Sequence, residues 1–127
     1  MTDARPGLHL RGLVLDTPDP PALARFYVRL LGFTPTTEAP EWVVLANPEG
    51  GPGLHFQREE HYRAPVWPAG PDDVAMMAHL DVEVDDLDTA VAWAQECGAR
   101  LAGFQPQEDV RVCLDPDGHP FCLYVEE

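Results

Sequence analysis

The sequence predicts an α+β fold built from two βαβββ modules, and three observations carry that prediction. The order strand, Asp-led helix ending in Gly, strand, turn, strand runs twice along the 127 residues. Landmarks recur at nearly constant separation: Asn47-Pro48-Glu49-Gly50-Gly51-Pro52 aligns with Asp115-Pro116-Asp117-Gly118-His119-Pro120 at 68 residues, Asp19 with Asp86 at 67, and Gly32 with Gly98 at 66. Two apolar stripes at helical spacing each follow a segment of strand character. The chain is read as one domain: a first module over about 8–58, a linker over 59–77 and a second module over about 78–126.

Taken in order, residues 8–16 alternate loosely and read as a strand. Asp19 is a good N-cap, Pro20 and Pro21 suit a first helical turn, and Gly32 suits the position just past the end. Between them Leu23, Phe26, Tyr27, Leu30 and Leu31 form an apolar face. Residues 42–46 and 54–59 read as strands around the turn 47–53, and a short extra strand is expected in 33–41. The linker holds Pro65, Pro68, Gly70 and Pro71 and shows no period. Residues 79–85 then alternate strictly, with Leu80, Val82 and Val84 on one face and His79, Asp81 and Glu83 on the other. Asp86 leads a helix whose stripe is Leu87, Ala90, Val91, Ala94 and Cys97, and Gly98 ends it. A short strand in 99–109 and strands at 110–114 and 121–125 complete the second module.

Composition removes several function classes. The chain has no Ser, Lys or Ile, which excludes a serine nucleophile, a lysine Schiff base and a P-loop. Acids outnumber bases 22 to 8, a formal charge of −14, so neither nucleic acid nor an anionic membrane is expected as a partner. No apolar run approaches a membrane span and the N-terminus lacks a signal-peptide core, so a cytoplasmic protein is expected. Cys97, Cys113 and Cys122 form no CxxC pair, which argues against a disulfide framework or a structural zinc site.

Four segments together resemble the vicinal oxygen chelate superfamily, which includes glyoxalase I, extradiol dioxygenases and bleomycin-resistance proteins. They are D-x-x-x-L-A-x-F-Y-x-x-L-L-G-F at 19–33, P-V-W-P at 65–68, H-L-D-V-E-V-D-D-L-D at 79–88 and D-P-D-G-H-P-F-C-L at 115–123. The resemblance covers roughly residues 8–126 and points to the glyoxalase-like members. It implies a cup-shaped mixed sheet enclosing one site, and a homodimer. It also implies ligand positions on the first and last strand of each module for metal-dependent relatives. These fall on His79 and Cys122 in the second half, and on Gly12 and Leu54 in the first, neither of which offers a donor. His55 is adjacent to Leu54, but strand alternation turns it to the opposite face unless a bulge shifts the register. With so few donors the expectation is no cofactor and no catalytic metal, though a divalent ion using His79, Cys122 and a third donor such as His55 or Asp81 stays open.

The candidate site residues follow from that cup. His79, Asp81 and Glu83 are the candidate acid–base groups; the alternative is a solvated acidic strand end beside a polar histidine. The repeat alignment matches Leu54 with Cys122 and Phe56 with Tyr124, so all four are expected to face the cup. With Trp42 and Trp67 they would give a wall suited to a flat organic ligand. Trp67 in the linker is expected either as a lid or as cover for a sheet edge. Arg58 and Arg63 either meet an anionic ligand or pair with surface Asp and Glu, His61 and Tyr62 join Arg63 in a polar cluster at the linker start, His9 and His119 are read as solvent-facing, and Trp93 as a mark of a subunit contact. The reading is a small-molecule binding protein. An enzyme of lyase, isomerase or dioxygenase type, with or without a divalent metal, is the alternative.

Overall fold

A computed structural model describes residues 4–126, and every element below lies within that span. Ten elements run along the chain. The first module holds β1 (Gly12–Thr17), α1 (Pro20–Leu31), β2 (Thr34–Ala39), β3 (Trp42–Ala46) and β4 (Gly53–Arg58). The second holds β5 (Leu80–Glu83), α2 (Leu87–Cys97), β6 (Arg100–Leu101), β7 (Val110–Leu114) and β8 (Pro120–Tyr124). Each module makes one four-stranded sheet, in the orders β1-β4-β3-β2 and β5-β8-β7-β6. The first and last strands of a module pair in parallel and the others antiparallel, so both sheets are mixed. The two expected short strands are β2 and β6. The linker is irregular apart from one bridge between Val66 and Ala75.

The helices form where their end signals stand. Asp19 accepts a hydrogen bond from the Ala22 N–H at 3.2 Å, prolines open the first turn, and Gly32 closes α1 in the left-handed conformation at φ 74°. Asp86 takes a side-chain partner: its carboxylate accepts from the Thr89 hydroxyl. That bond, opposed in part by lost solvation, holds the Asp86 carboxyl below its usual range. The buried face of α1 (Leu23, Ala24, Phe26 and Tyr27) meets Val43 and Leu45 of β3 and Leu54 and Phe56 of β4. Ala94 of α2 meets Cys113, Phe121 and Leu123 in the same way, and Leu80 and Val82 pack against that core as their alternation requires. The helices join the halves. Trp93 Nε1 donates to the Leu30 carbonyl at 3.2 Å and Arg29 lies over its ring at 5.4 Å. Trp93 thus links α2 to α1 within the chain while itself staying 42% exposed.

One difference in turn length decides which side chains face where. Six residues separate β3 from β4 and five separate β7 from β8, so the modules align at 68 residues before the turn and at 67 after it. Val44 pairs with His55, and Val112 with Cys122. A shift of one residue moves every side chain of a strand to its other face. Leu54 and Phe56, expected in the cup beside Cys122 and Tyr124, therefore point at the helix. Phe56 is fully buried and stacks on Tyr27 at 5.7 Å between ring centres. His55 takes the open face. The longer turn enters β4 at Gly53, where an added Cβ would lie 1.9 Å from the Leu45 carbonyl oxygen, a position only glycine can hold.

Candidate functional site

The open face of the second sheet carries a cavity of about 380 Å³ that His79, Asp81 and Cys122 line together. Alternation builds its floor. Val112 on β7 and Cys122 and Tyr124 on β8 point away from α2, while Cys113, Phe121 and Leu123 point toward it. The parallel register of β5 and β8 sets Asp81 beside Cys122. His79, one residue before β5, turns its ring back so that Nε2 stands 3.1 Å from Asp81 Oδ1. Trp67 covers this pair: its indole stacks on the His79 ring at 4.9 Å with 24° between planes, and meets Phe104 edge-on at 5.4 Å. Of the two roles open to Trp67, the structure places it over the pocket.

The electrostatics of this pocket are one-sided. Burial, then the Asp81 carboxylate, pushes the Cys122 thiol above its ordinary range. Lost solvation, then Glu83, Glu126 and Asp81, raises the Tyr124 phenol. Arg111, the basic residue of β7, alternates away and donates to the carbonyls of Glu108 and Val110.

The sequence candidates divide among several places. His79, Asp81, Trp67, Cys122 and Tyr124 come together. Glu83 lies on the same face but borders a separate hollow of about 410 Å³ between the edges of β1 and β5, where Leu54 also contributes a margin. Trp42 is drawn to His55, edge-on at 5.5 Å, on the first sheet. Gly12 takes the place that His79 holds in the second module, and its missing side chain is why His55 fits: a Cβ there would lie 2.4 Å from His55 Nε2. Phe56 is absent from every one of these linings. Phe104, Pro106, Gln107 and Asp109 join the site unannounced, because residues 102–109 have no period to read.

A second polar centre joins the modules. Asp115, fully buried, accepts from the Tyr27 hydroxyl at 2.6 Å, from His119 Nδ1 at 2.8 Å and from the backbone N–H groups of Asp117 and His119. His119 Nε2 reaches the Asp16 carbonyl at 2.8 Å. Thr17, also buried, donates to Asp117 at 2.6 Å, and the Tyr62 hydroxyl donates to the Asp117 carbonyl at 2.8 Å. His119, expected in solvent, is 11% exposed at its side chain, because the shorter turn folds it back onto Asp115. No buried side-chain nitrogen or oxygen among the described residues lacks a partner, so this centre is fully satisfied and reads as structural.

The donor atoms of His79, Asp81 and Cys122 lie within 4.8 Å of one another. Imidazole, carboxylate and thiol form a set that a zinc-like ion accepts. His55, over Gly12 on the first sheet, is not part of this set.

Comparison with known proteins agrees with this architecture. Residues 12–124 match the Glyoxalase-like domain family. A glyoxalase/bleomycin resistance protein/dioxygenase family enzyme from Burkholderia phytofirmans PsJN superposes with a TM-score of 0.71 at 20% identity, over 93% of this chain and 98% of that one. TnmS3, an antibiotic binding protein from Streptomyces sp. CB03234, gives 0.62 at 20% identity over 98% and 100%. TioX from Micromonospora sp. ML1 gives 0.61 at 20% identity over 95% and 100%. No curated protein matches the sequence. Among the described residues no helix is long and apolar enough to cross a membrane. With the repeated βαβββ module and a family match spanning both halves, the chain belongs to the glyoxalase-like domain family of the vicinal oxygen chelate superfamily.

Proposed function

We propose that this protein binds a small, flat organic molecule in the pocket under Trp67, without a catalytic metal. The observation that carries this reading is the Trp67–His79 stack over a floor of Val112, Cys122 and Tyr124: an aromatic surface with one polar pair for orientation. That a structural neighbour is an antibiotic binding protein supports it. The chain's own residues supply binding and orientation, Trp67 by stacking and the His79–Asp81 pair by hydrogen bonding. The thermal stability of the protein is expected to rise with a planar ligand, by about 2.7 kcal/mol at a hundred times its Kd. Trp67→Ala should abolish that gain. A ligand-induced shift that survives Trp67→Ala would place the site elsewhere.

The convergence of His79, Asp81 and Cys122 favours a second reading, a divalent-metal lyase or dioxygenase. A bound ion would act as a Lewis acid on a ligand oxygen. Metal content separates the readings. Protein purified without chelator should hold under about 0.1 equivalent of zinc, nickel, iron or manganese in the first, and near one equivalent, lost in Cys122→Ala, in the second.

We also propose a homodimer. Leu8 and Leu10 are 78% exposed and Met77 98% exposed, beside the unpaired edges of β1 and β5. Sedimentation should give twice the chain mass, and Leu8→Asp with Leu10→Asp should halve it.

A further inference from the structure

The pocket under Trp67 is chemically lopsided, and the asymmetry identifies the charge of what it holds. Its lining includes the carboxylates of Asp81 and Asp109 and contains no Arg or Lys. The histidine in it, His79, already faces Asp81 at 3.1 Å. The two basic residues of the second module stand on other surfaces: Arg111 is turned to the opposite face of β7, and Arg100 lies on β6. The cavity between the α1 helix and β2, by contrast, is lined by Arg25 and Arg29 along with Glu38, so an acid-only lining is not imposed by composition. Glu83 and Glu126 add to the negative potential at Tyr124, whose phenol is raised first by lost solvation and then by these charges. The apolar part of the lining is aromatic at Trp67 and Tyr124, and ring faces attract cations. Walls that carry charge of one sign give the pocket a negative potential, and a net charge of −14 steers cations toward it.

We infer that the ligand of this pocket is a planar organic cation, an aromatic or N-heterocyclic ring carrying delocalised positive charge, held between Trp67 and the carboxylates of Asp81 and Asp109. This rests on the binding role proposed above and adds the sign of the charge. A neutral flat molecule would gain the stacking but add no charge interaction with either carboxylate. An anion would be repelled by them. A delocalised cation satisfies the rings and the acids together, and its diffuse charge loses less hydration on entry than a compact ammonium.

Three probes of one shape test it: 1-methylquinolinium, neutral 1-methylnaphthalene and anionic 1-naphthoate, each titrated calorimetrically into the full chain. The quinolinium should bind at least about tenfold more tightly than the naphthalene, and the naphthoate least. That preference should shrink as salt rises toward about 0.5 M. It should fall to near parity in Asp81→Asn with Asp109→Asn, a pair that keeps side-chain shape. Folding of this variant is checked by its Tm. Equal binding of cation and neutral probe, or tighter binding of the naphthoate, would overturn the cation and leave the binding pocket standing. A cation preference that persists in the double variant would also overturn it, since the charge would then be read elsewhere on the surface. Binding of none of the three, or binding indifferent to Trp67→Ala, would overturn both the cation and the pocket.

Discussion

Replacing Asp115 by alanine is expected to lower stability by about 3–5 kcal/mol, the range for removing one member of a buried ion pair and stranding the other. Few single changes in this chain should cost more. The carboxylate is fully buried and holds four donors from two parts of the fold: the Tyr27 hydroxyl of α1, and, in its own turn, the His119 ring and the N–H groups at 117 and 119. Without it, the Tyr27 hydroxyl and His119 Nδ1 are left inside with no partner, and the contact between α1 and the β7–β8 turn loosens. Calorimetry should show Tm falling on the order of 10–20 °C. Asp115→Asn should fall between, since an amide oxygen can still accept from Tyr27 but carries no charge toward His119. A loss under about 1 kcal/mol for the alanine variant would show that the modules are held by their helices alone.

The same centre makes stability depend on pH. Both ring nitrogens of His119 face acceptors, the Asp115 carboxylate and the Asp16 carbonyl, an arrangement that favours the doubly protonated ring. Burial alone would lower its pKa. The hydrogen bond and charge of Asp115, the Asp16 carbonyl and the charge of Asp117 outweigh that and raise it above 6.5. A group whose pKa is higher folded than unfolded adds stability that is fully present below the unfolded value, near 6.5, and is lost as pH rises through the folded one. The Tm of the wild-type chain should therefore decline from pH 6 upward through the raised pKa, and His119→Gln should flatten that decline.

What could be read in the sequence was what depends on neighbours along the chain. Asp19, Pro20 and Gly32 mark the ends of α1 because caps act within one turn, and the alternation of Leu80 and Val82 found the core face of β5 because a strand's period is local. His79 and Cys122 were legible together only through the resemblance, which puts ligand positions on the first and last strand of a module; the parallel register of β5 and β8 is what brings those strands side by side. The repeat misled at one place. The sequence repeat aligns Pro52 with Pro120, whereas the structure aligns Gly53 with Pro120, and this single residue turns Leu54 and Phe56 inward and His55 outward. The Asp115 centre was out of reach for another reason: its partners Tyr27 and Thr17 lie 88 and 100 residues from the turn residues they meet, and nothing local distinguishes a buried Asp-Pro-Asp-Gly-His from an exposed one. Trp67 sat in an aperiodic proline-rich segment, so its contact with His79 exists only in three dimensions.

Phe56→Ala separates the two placements of that residue and carries the other large expected effect. Were Phe56 a wall of the ligand pocket, its loss would weaken binding and leave the fold nearly intact. In the structure it is wholly buried, stacked on Tyr27 with 23° between ring planes and surrounded by the core that α1 makes with β3 and β4. Truncating a buried phenylalanine removes its transfer free energy and leaves a cavity, together about 3–5 kcal/mol. The loss should also reach the junction of the modules, because Tyr27 is held by the ring of Phe56 on one side and by Asp115 at its hydroxyl. Phe56→Ala and Asp115→Ala share that neighbour, so the double variant is expected to lose less than the sum of the singles. Ligand affinity supplies the contrast. At a temperature where Phe56→Ala remains folded, it should bind a planar ligand as the wild type does, while Trp67→Ala, with a smaller loss of stability, should not. A Phe56→Ala variant of near-normal Tm that no longer binds would return this ring to the pocket and put the register of β4 in error.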